Sequence, residues 1–179
     1  MKKDKGYSMI ELMIVIAIMG ICVGLAIPNL SNLVKKNRVE NQIRRIYSDL
    51  MNARVMAMSR NITHFVVFAG NQYTVMEDTN LNGVPDAAPA DTQRLRRSSV
   101  DIVPMTYSNT ATTPPDAVIL ESCGGWVAFN PRGIARTAIA PNGTIRITVP
   151  NVHPSRDCVS ISPTQMRLGK WDGATCNEI

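Results

Sequence analysis

The chain has 179 residues, 45% of them hydrophobic, which is enough for a long helix and one globular head with its own core. Its net charge of +5 sits in the first third: residues 1–6 hold three lysines against one aspartate, and residues 7–61 seven basic residues against three acids. Residues 62–179 hold nine basic residues against ten acids, which excludes a head-wide positive field for attracting DNA.

The chain opens on a short charged leader, Lys2, Lys3, Asp4 and Lys5, followed by Gly6-Tyr7-Ser8-Met9-Ile10-Glu11. From Leu12 to Val34 there are 23 residues without a formal charge, close to the ~20 a helix needs to cross a bilayer core. Glu11 stands just before that run, where a carboxylate is poorly solvated and needs a reason. A secretory signal peptide does not supply one. Such a peptide ends on small residues after its apolar core, and here Ile27-Pro28-Asn29-Leu30 follows instead.

Gly6, Glu11, Pro28 and the uncharged run together resemble the leader of type IV prepilins and type II secretion pseudopilins. The resemblance implies cleavage by a prepilin peptidase after Gly6 and N-methylation of the new terminus, Tyr7, where the family usually has Phe. It also assigns Glu11 to fibre assembly and Pro28 to a helix kink. Lysines before the run and Lys35, Lys36 and Arg38 after it leave orientation open by charge. The resemblance places the amino terminus in the cytoplasm and the head in the periplasm. Gly20 and Gly24 form a small-xxx-small pair that admits a close helix neighbour, although glycine is also simply frequent in membrane helices.

Past Pro28 the pattern turns amphipathic. Ile43, Ile46, Tyr47, Leu50, Ala53 and Ala57 recur at helical spacing, with Arg44, Arg45, Asp49 and Arg54 assigned to other faces. This predicts one helix of about fifty residues ending at Arg60-Asn61, roughly 75–80 Å long. Its first half is membrane-embedded and its second packs on the head.

The head reads as β-rich. Thr63 to Phe68 and Gln72 to Met76 form a hairpin across Ala69-Gly70-Asn71, and a polar loop runs from Glu77 to Thr92. Arg94 to Val103 can hold a strand, and Ser108 to Asp116 is loop. Further strands are read at Trp126–Phe129, from Ile134 onward, at Thr144–Val149, at Cys158–Ser162 and at Gln165–Leu168. The turn Asn130-Pro131-Arg132-Gly133 after Trp126-Val127-Ala128-Phe129, with the strand Gly143-Thr144-Ile145-Arg146-Ile147, is similar to the GspH/FimT branch of pseudopilins and minor pilins. The fold expected is α+β, a pilin fold. Its segments are leader 1–6, transmembrane helix 7–34, amphipathic helix 35–61 and head 62–179.

Cys22 lies in the apolar run, and Cys123, Cys158 and Cys176 in the head. Export to an oxidising compartment lets two of the three head cysteines pair, and counting alone does not say which. Cys158 and Cys176 flank the final hairpin and are the pair expected to bridge.

Three constellations bear on chemistry. Asp78, Asn80, Asn82 and Asp86 stand at loop positions 1, 3, 5 and 9 with Gly83 at 6, the front half of a calcium loop. Position 12 is Pro89, with Asp91 close by, and a plain polar turn is the alternative. His64 and His153 accompany no nucleophile or metal-ligand motif, so no catalysis is expected. DNA-binding FimT-like pilins carry a Gly-Arg-x-Arg element near the carboxy terminus. Here Gln165-Met166-Arg167 keeps its last arginine, and Arg167, Lys170 and Trp171 are the residues a DNA-binding alternative would use. The main expectation is a minor pilin or pseudopilin that co-assembles with other pilins at the inner membrane, in a type II secretion pseudopilus or a type IV pilus.

Overall fold

A computed structural model of the chain describes residues 8–69, 72–87, 89–98, 106–108, 117–121 and 123–178, without the side chains of 25–31, 96–98, 106–108, 117 and 121. The cleavage pair Gly6 and Tyr7, the side chain of Pro28 with its expected kink, and the hairpin turn at Gly70-Asn71 lie outside what is described.

One helix, α1, spans Met9–Arg60 in 52 residues and ends on Asn61 in the left-handed conformation. Asparagine is among the few non-glycine residues that tolerate this cap, so the expected end point has a local cause. From Val39 onward, the stripe Val39, Ile43, Ile46, Leu50, Ala53 and Ala57 is buried in a single core with strands of the head. Each large aliphatic side chain so buried stabilises by about 1.5–3 kcal/mol. Asp49 departs from its sequence assignment to an outer face. It is buried on the inward side, where Tyr73 Oη donates to its Oδ2 at 2.5 Å. A polar residue on the apolar stripe is tolerated because the head brings it a partner.

The head has two sheets. The first contains β1 (His64–Ala69), β2 (Gln72–Glu77), β3 (Thr92–Ser98), β6 (Trp126–Phe129) and β7 (Ala135–Thr137), in the order β3-β2-β1-β6-β7. β4 (Thr106–Ser108), β5 (Ala117–Glu121), β8 (Gly143–Thr148), β9 (Cys158–Ile161), β10 (Met166–Trp171) and β11 (Cys176–Glu178) make the second. Its order is β11-β10-β9-β8-β5-β4. β4 and β5 pair in parallel, and the other pairs are antiparallel.

Three strands differ from the sequence reading. Ser108 belongs to β4 rather than to loop, and β5 and β11 were not expected. β5 is a short apolar run without alternation, buried at Val118, Ile119 and Leu120 beside β8. β11 is polar, and it is held by pairing with β10 and by the Cys158–Cys176 disulfide. With a sequence separation of 18, that bridge contributes about 3 kcal/mol through loop-closure entropy. Cys123, buried, and Cys22, exposed, are thiols outside the disulfide.

Candidate functional site

The two ends of α1 pose different questions. Between Met9 and Val23 its apolar side chains face outward all round the helix; Met9 is 87% exposed and Ile21 66%. Gly20 and Gly24 have nothing within contact distance of where a Cβ would stand. An apolar surface of this kind needs lipid or other helices to cover it. Ser8 caps the helix with its backbone only, its carbonyl accepting from Glu11 N at 3.1 Å and Leu12 N at 3.2 Å. Glu11 is therefore an exposed carboxylate in the first turn, where the helix dipole favours a negative charge. Among the described residues no helix is long and apolar enough to cross a membrane. The described apolar side chains stop at Gly24, and the next seven positions of the expected span fall outside them.

At the other end, α1 is fastened to the head by polar contacts as well as by the core. Glu40 Oε1 accepts from Ser155 N at 2.6 Å, and Arg54 Nη2 donates to Thr164 O at 3.0 Å. The Asn130-Pro131-Arg132-Gly133 turn lies against the same helix. Asn130 Oδ1 accepts from Arg132 N at 3.0 Å and from Ile134 N at 2.9 Å, which fixes the turn. Gly133 has φ +74°, and a Cβ there would stand 2.7 Å from Met58 Sδ and 3.2 Å from Arg54 Nε. The backbone favours glycine here, and any side chain would also push the end of Met58 aside. The sequence showed the turn but not what it packs on.

The residues of the DNA-binding alternative are near one another, and all three are engaged within the protein. Arg167 Nε pairs with Glu178 Oε1 at 2.6 Å, and its Nη2 donates to Gln165 Oε1 at 2.8 Å. Lys170 Nζ reaches Asp157 Oδ2 and Pro154 O, both at 2.8 Å. Trp171 lies under the Arg146 guanidinium, 4.6 Å from the ring centre to Cζ. A phosphate here would meet cations already paired with carboxylates, and a base would find one face of the indole taken by Arg146. The arrangement welds β9, β10 and β11 together instead.

Of the two histidines, His64 is fully buried in β1 beside Glu77, which pairs with Arg94 and Arg60. Burial holds its pKa below the usual imidazole value, and its Nδ1 is 3.0 Å from Ile62 O. It reads as a structural residue of the strand, its ring held against the Ile62 carbonyl. Asp172 is an exposed turn carboxylate whose pKa is lowered to about 2, first by the N–H of Thr175 and then by that of Ala174. The remaining sequence candidates, Asp78, Asn80, Asn82 and Asp86, do come together in the β2–β3 connection, and Asp91 joins them.

Two family descriptions match the chain. Residues 1–27 match the prokaryotic N-terminal methylation motif, and residues 42–165 match the type II transport protein GspH. The second covers well over half of the sequence. The chain belongs to the GspH family. Among solved structures it is similar to the type IV minor pilin FimU of Pseudomonas aeruginosa, with TM-score 0.51 and 13% identity, over 81% of this chain and 96% of that one. At that identity the likeness speaks for the pilin fold, a long helix packed on a β-rich head. As a member of the GspH family the chain is a minor pilin or pseudopilin, a subunit of pilus or secretion machinery, and the family is structural rather than catalytic.

Proposed function

We propose that this GspH-family chain is a non-enzymatic subunit that joins a pseudopilus or pilus through the first half of α1. A prepilin peptidase removes residues 1–6, Tyr7 is N-methylated, and residues 7–34 hold the subunit in the inner membrane with its head in the periplasm. The observation that carries this reading is the apolar surface from Met9 to Val23, exposed on every side and headed by the single carboxylate of Glu11. Lipid covers such a surface before assembly, and the helices of neighbouring subunits cover it afterwards.

Glu11 then has a defined part. A carboxylate at the edge of an apolar medium seeks a positive partner. The amino terminus made by cleavage, its own or that of an adjacent subunit, is the nearest candidate. Pairing neutralises both charges and sets the axial register, so this subunit has another above it in the fibre. Glu11→Ala should leave cleavage after Gly6, shown by mass spectrometry, and membrane fractionation unchanged while lowering incorporation into sheared fibres. Incorporation at the wild-type level would remove Glu11 from this role. A mature chain starting beyond Ile27 would remove the prepilin reading altogether.

A further inference from the structure

The β2–β3 connection buries two carboxylates that no ion pair among the described residues reaches. Asp78 is 2% exposed and Asp91 1% exposed. Asp78 Oδ1 accepts from Asn82 N at 3.1 Å and its Oδ2 from Gly83 N at 3.0 Å. Asp91 Oδ2 accepts from Asp86 N at 2.7 Å, which turns the carboxylate into the loop, and its Oδ1 is buried without any partner. An ionised carboxylate left short of partners in this way is costly.

Around these two acids the loop is drawn tight by its own oxygens. Asp86 Oδ2 accepts from Asn80 Nδ2 at 2.9 Å and from Asn82 Nδ2 at 2.6 Å. Thr79 Oγ1 donates to Ala90 O at 2.6 Å and closes the loop's base. Gly83 takes φ +78°, the sharp bend that a cation-wrapping loop needs at its sixth position. Its carbonyl is held by Arg136 Nη2 at 2.7 Å, which ties the loop to β7.

Among the described residues no three His, Cys, Asp or Glu side chains converge as a ready metal cage. The donors are mixed, carboxylates with amide oxygens: Asn80 Oδ1 accepts from Asn82 N at 3.0 Å and Asn82 Oδ1 from Val84 N at 2.9 Å, and each amide oxygen keeps a second lone pair for a cation. We propose that residues 78–91 form a calcium site, with side-chain oxygens from Asp78, Asn80, Asn82, Asp86 and Asp91. Asp91 takes the place of the acid absent at Pro89. A set of many mixed oxygens suits calcium, which takes about six to eight of them in irregular geometry, whereas magnesium demands a near-ideal octahedron and keeps its waters. The bound ion would neutralise the buried carboxylates and stabilise the head, whichever fibre the subunit enters.

The test uses the full chain in detergent micelles, stripped with EDTA and unfolded by heat at matched ionic strength. About 10 mM calcium should raise Tm by roughly 5–10 °C, as expected for a site of submillimolar affinity, and magnesium should do so by clearly less. Asp91→Asn should raise Tm in EDTA, because it removes an uncompensated buried charge, and should abolish the calcium increment. The half-buried Asp86→Asn provides a second variant that folding is less sensitive to, and its increment should shrink. No calcium increment in the wild type, an equal one from magnesium, or a full one retained in the variants would overturn the proposal.

Discussion

The two halves of α1 share one unbroken helix and have opposite surroundings. From Val39 to Ala57 every third or fourth residue is sealed under the head, while from Met9 to Val23 the apolar side chains are open on all sides. Hydrophobicity alone does not separate the halves; its arrangement does. A stripe flanked by charges matches a head that covers one side, and an apolar surface all round matches an environment that covers every side. The lower half is therefore held by its own chain, and the upper half is left for other molecules.

Substitutions should divide along that line. Leu50→Ala removes a fully buried side chain from the shared core and should cost about 2–5 kcal/mol of head stability in chemical unfolding. Ile14→Ala, in the exposed half, should leave head stability within about 0.5 kcal/mol. Equal losses from the two would erase the distinction. A smaller effect sharpens it where helix and head touch. Gly133→Ala places a side chain on a left-handed backbone against Met58, and should cost about 1–3 kcal/mol. Adding Met58→Ala should recover the steric part of that loss and leave the backbone part.

How far the sequence revealed all this depended on whether the cause was local. The helix announced itself because a 3.6-residue stripe and an uncharged run are both written in consecutive residues. The alternation of Thr144-Ile145-Arg146-Ile147 and the Asn61 cap were legible for the same reason. β5 was not: Ala117-Val118-Ile119-Leu120 has no alternation, and its pairing with β4 and β8 is made at a distance. β11, which begins Cys176-Asn177, has no apolar signal at all and depends on its neighbour and the disulfide. The inward face of Asp49 appeared only when Tyr73 reached it. Arg167, Lys170 and Trp171 looked available for a ligand until Glu178, Asp157 and Arg146 were brought beside them. At the β2–β3 loop the spacing of Asp78, Asn80, Asn82 and Asp86 was plain, but the burial of Asp91 was not.

The most direct test of the division within α1 is photo-cross-linking in assembling cells. A small diazirine analogue of leucine would be placed at Ile14 in one protein and at Ile46 in another. The account predicts that position 14 captures other pilin subunits in the fibre fraction, while position 46, fully buried beneath the head, yields only products within its own chain. Subunit cross-links from position 46, or none from position 14 in fibres that contain the protein, would contradict it.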